Sequence, residues 1–368
     1  MGGVVKITAV ETTVVRMPMR IDGPTPMMGG ATRTSMEILL VRVDTDEGVT
    51  GWGEAFGHRA IPTTRTAIDI LIAPLCMGRD PAAIDELSLD IQHALHGGGR
   101  NGPVIYGLSG IDIALWDIAG KVAGLPLYRL LGGTERLDIP AYASLLRYSE
   151  PAAIGRYTEQ ALERGYRQVK VHEIEAVNVK AARDVLGPDL PLMVDCNCLW
   201  DAAEAVRRAR SFAPYHPRWI EEAIWPPEDG HAMAELRRHG SVPTAAGENF
   251  MFDDFQRLCE LEALDFLQPS ITKVGGINSM RAVFALGTAH GVQVVPHSAY
   301  FGPGLLASTH VIAAYSGEIP VERYYADFDE TPLHDAINPK NGRMLVPQGP
   351  GLGLDPDLEV IQRLRIEA

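Results

Sequence analysis

Three carboxylates carry the clearest chemical signal in this chain. Asp195, Glu221 and Glu248 stand at or near the ends of the short apolar runs LMVDCN, RWIEEA and PTAAGE, 26 and 27 residues apart. That interval is about one strand plus one helix. Three neighbouring barrel strands would then each project one acid, at one height, into the mouth where barrel enzymes build their sites. Converging carboxylates repel one another unless a cation neutralises them. An all-oxygen set suits a hard ion, and Mg²⁺ is the expected cofactor. A single acid at a strand end would merely cap the following helix; three in succession point to a metal site. Lys170 and His172, two apart on one strand, share a face, and His297 ends a later run on the far side. Lys170 would steer negative charge, and a histidine can take a proton near neutral pH.

The elements that must position these groups follow from the rhythm of the chain. From residue 136 onward eight apolar runs alternate with helical patterns: DIPAYASL, QVKVHEI, LMVDCN, RWIEEA, PTAAGE, DFLQPS, VQVVPHS and VERY. Eight βα units predict an α/β fold, a modified (β/α)8 TIM-type barrel, over 136–335. Residues 1–135 predict an α+β capping domain. Its strand-like stretches at 4–16 and 36–44 flank a Gly- and Pro-rich segment that reads as a long loop, and helical patterns follow at 62–75, 81–95 and 107–124. The tail, 336–368, is expected to pack back on the cap.

Other features bound the function. Among 368 residues, 33 are basic and 47 acidic, a net charge of −14. That balance argues against nucleic acid and acidic membrane surfaces as partners. No run approaches the ~18 apolar residues of a membrane span, and the N-terminal stretch lacks a signal-peptide core. Four cysteines without a zinc pattern read as reduced thiols, so a cytoplasmic enzyme is expected. Gly97, Gly99 and Gly102 spell G-x-G-x-x-G, but they follow a helical pattern instead of a strand. They therefore read as a helix stop and loop, not as a dinucleotide fingerprint.

Taken together, the motifs resemble the enolase superfamily in its mandelate racemase-like subgroup, over nearly the whole chain. GWGEAF around Glu54 and LSGIDIALWDIAGK around Asp112, Trp116 and Asp117 are similar to the subgroup's cap motifs. VDCN, IEEA and GEN are similar to its three metal-ligand motifs, which implies Asp195, Glu221 and Glu248 as ligands. KVGG, with Lys273, and PHS, with His297, match its sixth and seventh strand ends, and VER brings Glu322 to the place of a substrate-binding glutamate. The resemblance implies abstraction of the proton α to a carboxylate, with Mg²⁺ stabilising the enediolate and a Lys or His base, the pattern known for this superfamily.

Three departures bear on the reaction. The second strand reads Lys170-Val171-His172 where the subgroup usually has K-x-K, so His172 occupies a base position. Ser270 stands where the subgroup keeps an aspartate behind His297, and can still orient the ring by a hydrogen bond. Ala223 replaces a common proline, a structural departure. His172 or His297 is expected to abstract the proton while the other assists the leaving group. Asn197, Ser270, Lys273, His58 and Arg20 are candidates for substrate contacts, with Arg33, Thr32, Thr34 and Arg59 nearby in sequence. Met27, Met28, Trp200, Trp225, Tyr300 and Phe301 could instead line an apolar pocket.

The expected substrate is a small-molecule carboxylate, a sugar acid or hydroxy acid undergoing dehydration, which makes the chain an acid-sugar dehydratase-like lyase. A racemase, epimerase or lactone cycloisomerase is the alternative outcome of the same intermediate. A catalytically silent metal-binding barrel is the alternative of another class. A homo-oligomer is expected.

Overall fold

The computed structural model describes residues 5–28 and 30–367; the side chain of Met28, one of the candidate lining residues, lies outside the described part. All eight expected runs form strands: Asp138–Leu145, Val169–Val171, Leu192–Asp195, Trp219–Glu221, Thr244–Ala246, Phe266–Leu267, Gln293–Val294 and Val321–Tyr324. They pair in sequence order as a curled parallel sheet, and the first strand also pairs with the eighth, Glu322 lying opposite Tyr142. Between the seventh and eighth strands the main-chain ladder gives way to side-chain bonds. The Ser298 amide donates to Glu322 Oε2 (3.1 Å), and the Ser298 hydroxyl accepts from the Glu322 amide at 3.1 Å.

Seven helices separate the eight strands, from Pro151–Glu163 to Pro303–Ala314. Their residue spacing explains how they dock. In Ala202–Phe212 the buried residues are Ala205, Ala209 and Phe212, one stripe at helical intervals, and Asp201 caps the first turn by accepting from the Glu204 amide at 2.8 Å. Inside the barrel Tyr142, Met193, Trp219, Ala245 and Val295 form a closed apolar layer beneath the mouth. It is a packed floor, so chemistry is confined to the strand ends above it.

The cap is an antiparallel meander of Ile7–Arg20, Ser35–Thr45 and Thr50–Ala55, laid against the long helix Pro103–Ala123. Gly53 has a steric purpose: a Cβ there would fall 1.9 Å from the Gly110 carbonyl oxygen of that helix. The helix opens with proline in its first turn and ends on Gly124 in the left-handed conformation. Gly97, Gly99 and Gly102 connect it to the preceding helix, Ile84–Ala94, and follow no strand. The segment expected to be a loop before residue 35 carries a short hairpin, Met27–Met28 with Ala31–Thr32, bridged to the barrel at Arg147.

After the eighth strand the chain leaves the barrel. Asp327–Phe328 and, later, Arg365–Ile366 both pair with the first cap strand, while Arg343–Leu345 pairs with the first barrel strand.

Buried cap acids clasp the two parts together. Glu54 Oε2 accepts from the Gly304 amide (2.9 Å), and Asp112 Oδ1 accepts from the Ile277 amide (2.5 Å). Both amides lie in the first turn of a barrel helix, where donors have no intrahelical partner and the dipole favours an anion. Burial nevertheless dominates, raising the Glu54 carboxyl to about 7 and that of Asp112 to about 8.

Candidate active site

The second strand carries Lys170, and His172 lies just past its end. The Lys170 ammonium, fully buried, stands 2.5 Å from Glu221 Oε1, 2.8 Å from Glu322 Oε1 and 3.2 Å from Asp195 Oδ2. Burial works against that charge. The three surrounding carboxylates outweigh it and hold the ammonium well above its ordinary pKa. Part of the charge compensation that the acid cluster demands is therefore supplied by the protein itself.

The register corrects the expected common height of the acids. Asp195 and Glu221 are direct partners in the parallel ladder, but Glu221 pairs with Ala245, three residues before Glu248. Glu248 thus sits beyond the strand, on a turn. Glu222 holds that turn: its buried carboxylate accepts from the Gly247 amide (2.8 Å) and the Glu248 amide (3.1 Å). The doubled acid of IEEA divides its labour, Glu221 facing the cluster and Glu222 the backbone.

The two histidines are anchored alike. His172 Nδ1 donates to the Leu145 carbonyl (2.6 Å), and its Nε2 faces Asp195 Oδ2 at 3.1 Å. His297 Nδ1 meets the Ser270 hydroxyl (3.1 Å), and its Nε2 faces Glu248 Oε2 at 3.1 Å. Ser270 is itself bonded to Tyr300, so a pair of hydroxyls backs the ring. Lys273 contacts Glu248 (3.5 Å) and donates to Asn249 (3.0 Å) above the Phe56 ring. Together with His297 it overcomes the burial of Glu248 and keeps that carboxyl well below its usual range. Asn197 donates to Asp195 Oδ1 from both its amide (3.0 Å) and its side chain (2.9 Å).

A cavity of about 460 Å³ opens over these groups. His172, His297, Glu248, Lys273, Asn197 and His58 are among its walls, while the Lys170, Asp195, Glu221 and Glu322 side chains lie buried beneath it. Burial, then the charges of Lys273 and Arg33, lower His58 to about 4. It is a neutral ring near pH 7, suited to hydroxyl recognition. Arg20 is kept out: its guanidinium is spent on the Phe328 carbonyl and on Asp329 (3.2 Å), beside a separate small crevice. Of the aromatic candidates, Trp200 and Phe301 are core residues and Trp225 is exposed. Spacing arguments passed over Glu222, Tyr324 and Arg147. The last two line the cavity but follow no interval that would single them out.

The donor set fits a hard divalent ion. It consists of carboxylates, and the buried Asp195 Oδ2 accepts no well-aligned hydrogen bond. Among the described residues no three acidic, histidine or cysteine side chains converge as a ready metal cluster. The ion pairs account for that, drawing Asp195 and Glu221 onto Lys170 and Glu248 onto His297 and Lys273.

Comparison with known proteins agrees with this architecture. Residues 9–132 match the mandelate racemase/muconate lactonizing enzyme N-terminal domain, and residues 153–360 the enolase C-terminal domain-like family. The chain is 31% identical to a D-galactarolactone cycloisomerase of Agrobacterium fabrum, over 98% of this chain and 99% of that protein. It is 30% identical to a D-xylonate dehydratase of Haloferax volcanii, over 100% of this chain and 91% of that one. Among solved structures, a racemase from Streptomyces coelicolor A3(2) with bound magnesium superimposes with a TM-score of 0.86 at 26% identity, covering 98% of this chain and 100% of that one. The chain belongs to the mandelate racemase/muconate lactonizing enzyme family of the enolase superfamily.

Proposed function

We propose that this protein removes the proton α to the carboxylate of a sugar acid and expels the β-hydroxyl as water, giving a 2-keto-3-deoxy acid. The observation that carries this reading is the pair of imidazoles, His172 and His297, just past the ends of the second and seventh strands. Each is anchored through Nδ1 and presents Nε2 to one cavity. The Leu145 carbonyl can only accept, so Nδ1 of His172 carries a hydrogen and Nε2 is the atom that exchanges a proton. One ring takes the α-proton at Nε2. The other gives a proton to the β-oxygen as the C–O bond breaks, and the resulting enol becomes the ketone.

Asp195, Glu221 and Glu248 would hold Mg²⁺, which supplies positive charge against the dianion that develops when a carboxylate loses its α-proton. Lys170 and Glu322 work beneath the cavity. Lys170 holds Asp195, Glu221 and Glu322 in place through its three ion pairs, and Glu322, fixed by the Ser298 amide, accepts a substrate hydrogen bond. Asn197 orients Asp195, Ser270 orients His297, Lys273 steadies Glu248, and the neutral His58 meets substrate oxygens.

A second reading keeps the same proton abstraction but expels an internal ring oxygen, and the likeness to the D-galactarolactone cycloisomerase favours it. Mass spectrometry separates the two. Incubating the Mg²⁺-loaded protein with a library of sugar acids and their lactones should yield a product lighter by one water. A product of unchanged mass from lactones alone would replace dehydration by cycloisomerisation.

A further inference from the structure

We propose that Arg147 binds a second carboxylate at the far end of the substrate, so that the protein prefers sugar diacids to monoacids. This deepens the reading above and rests on it. Arg147 lies in the loop after the first barrel strand and lines the cavity beside His172 and Asn197. Its guanidinium is held in place: Nε donates to the His172 carbonyl (2.8 Å), and one terminal nitrogen donates to Asn197 Oδ1 at 3.2 Å. Among the described residues no carboxylate pairs with it, and its other terminal nitrogen makes no hydrogen bond.

Two other cations of the site, Lys170 and Lys273, make the contrast, while Arg33, whose charge also reaches His58, does not line the cavity. Lys170 is committed to Asp195, Glu221 and Glu322, and Lys273 to Glu248 and Asn249. Arg147 alone of these three lacks an acidic partner while facing open space. A rigid planar fork with free donors matches a carboxylate better than a hydroxyl. The cap contributes as well, since the Met27 amide donates to the Arg147 carbonyl (2.9 Å) and pins this loop under the hairpin. Because the two histidines and the ion that Asp195, Glu221 and Glu248 would hold take the reacting end, the anion Arg147 meets is the distal one.

The test compares a six-carbon aldarate with the aldonate of the same configuration, in the Mg²⁺-loaded full-length protein. Calorimetric Kd is measured for wild type, Arg147→Met and Arg147→Lys, with circular dichroism to verify folding. Wild type should bind the diacid more tightly by about tenfold or more, the scale of one charge-assisted hydrogen bond. Arg147→Met should lose that preference while its monoacid Kd stays within about twofold, and Arg147→Lys should retain part of it. An equal loss for both acids means that Arg147 only supports the His172 backbone, and overturns the proposal. So does a wild type that shows no diacid preference, or an Arg147→Met that keeps it. α-Deuterium exchange in the same samples reports separately on the parent reading: exchange without a diacid preference rejects Arg147 alone.

Discussion

Lys170 is the residue on which the electrostatics of the site turn, because it contacts three buried carboxylates at once. Lys170→Met should lower kcat by at least about 10²-fold, the usual scale for losing one preorganised charge. It should also destabilise the fold by about 3–5 kcal/mol, since it leaves buried acids unpaired. Stopped assays and denaturant titration read the two effects, and normal turnover would remove Lys170 from the mechanism. His172→Asn and His297→Asn should each slow product formation by about 10²–10⁴-fold; only the variant lacking the base should also lose α-deuterium exchange. At this scale the sequence was informative where chemistry repeats at an interval. The acids, Lys170 and both histidines lie at or near strand ends, so their spacing exposes them. Arg147 lies in a loop that no interval singles out, and the role of Glu222 depends on which of two adjacent acids faces inward.

At the scale of elements, the cap is bound to the barrel by acids seated on helix N-termini, and those contacts depend on pH. Glu54 and Asp112 carry folded-state pKa values of about 7 and about 8, above their ordinary 4.5 and 3.8. Between those limits each of these two acids holds more proton in the fold than in the unfolded chain, so their contribution to stability falls as pH rises from about 4 to about 8. Asp112→Asn, which keeps an oxygen acceptor for the Ile277 amide, should flatten the fall in Tm over that window. An unchanged slope would mean that Asp112 is ionised in the fold. The eight barrel strands were legible because each is an apolar run bounded by helical patterns. The third cap strand, Thr50–Ala55, was not, because Gly51 and Gly53 give it a poor strand profile. Those glycines are present because the Pro103–Ala123 helix crosses too closely for a side chain, and sequence alone does not disclose that approach.

The whole molecule combines a net charge of −14 with a site built to gather anions. The two are compatible because the acids at the barrel mouth are individually paired with Lys170, His172, His297 and Lys273. No helix among the described residues is long and apolar enough to cross a membrane. If Mg²⁺ binds the folded state alone, an ion concentration of 100 times its Kd should add about 2.7 kcal/mol of stability. Tm should then rise with added Mg²⁺ and return on chelation, together with loss of turnover. A Tm indifferent to Mg²⁺ in wild type, yet responsive in Lys170→Met, would mean that the internal ammonium excludes the ion.

Every step proposed for this site depends on abstraction of an α-proton by a histidine of the cavity. That abstraction is tested most directly by incubating the Mg²⁺-loaded protein in D2O with a panel of mono- and dicarboxylic sugar acids and following the α-carbon by NMR. At least one acid should lose its α-proton signal, at a rate that collapses in the His172→Asn, His297→Asn double variant. No exchange with any acid across the panel, with Mg²⁺ demonstrably bound, would contradict it and leave a metal-binding barrel without catalysis.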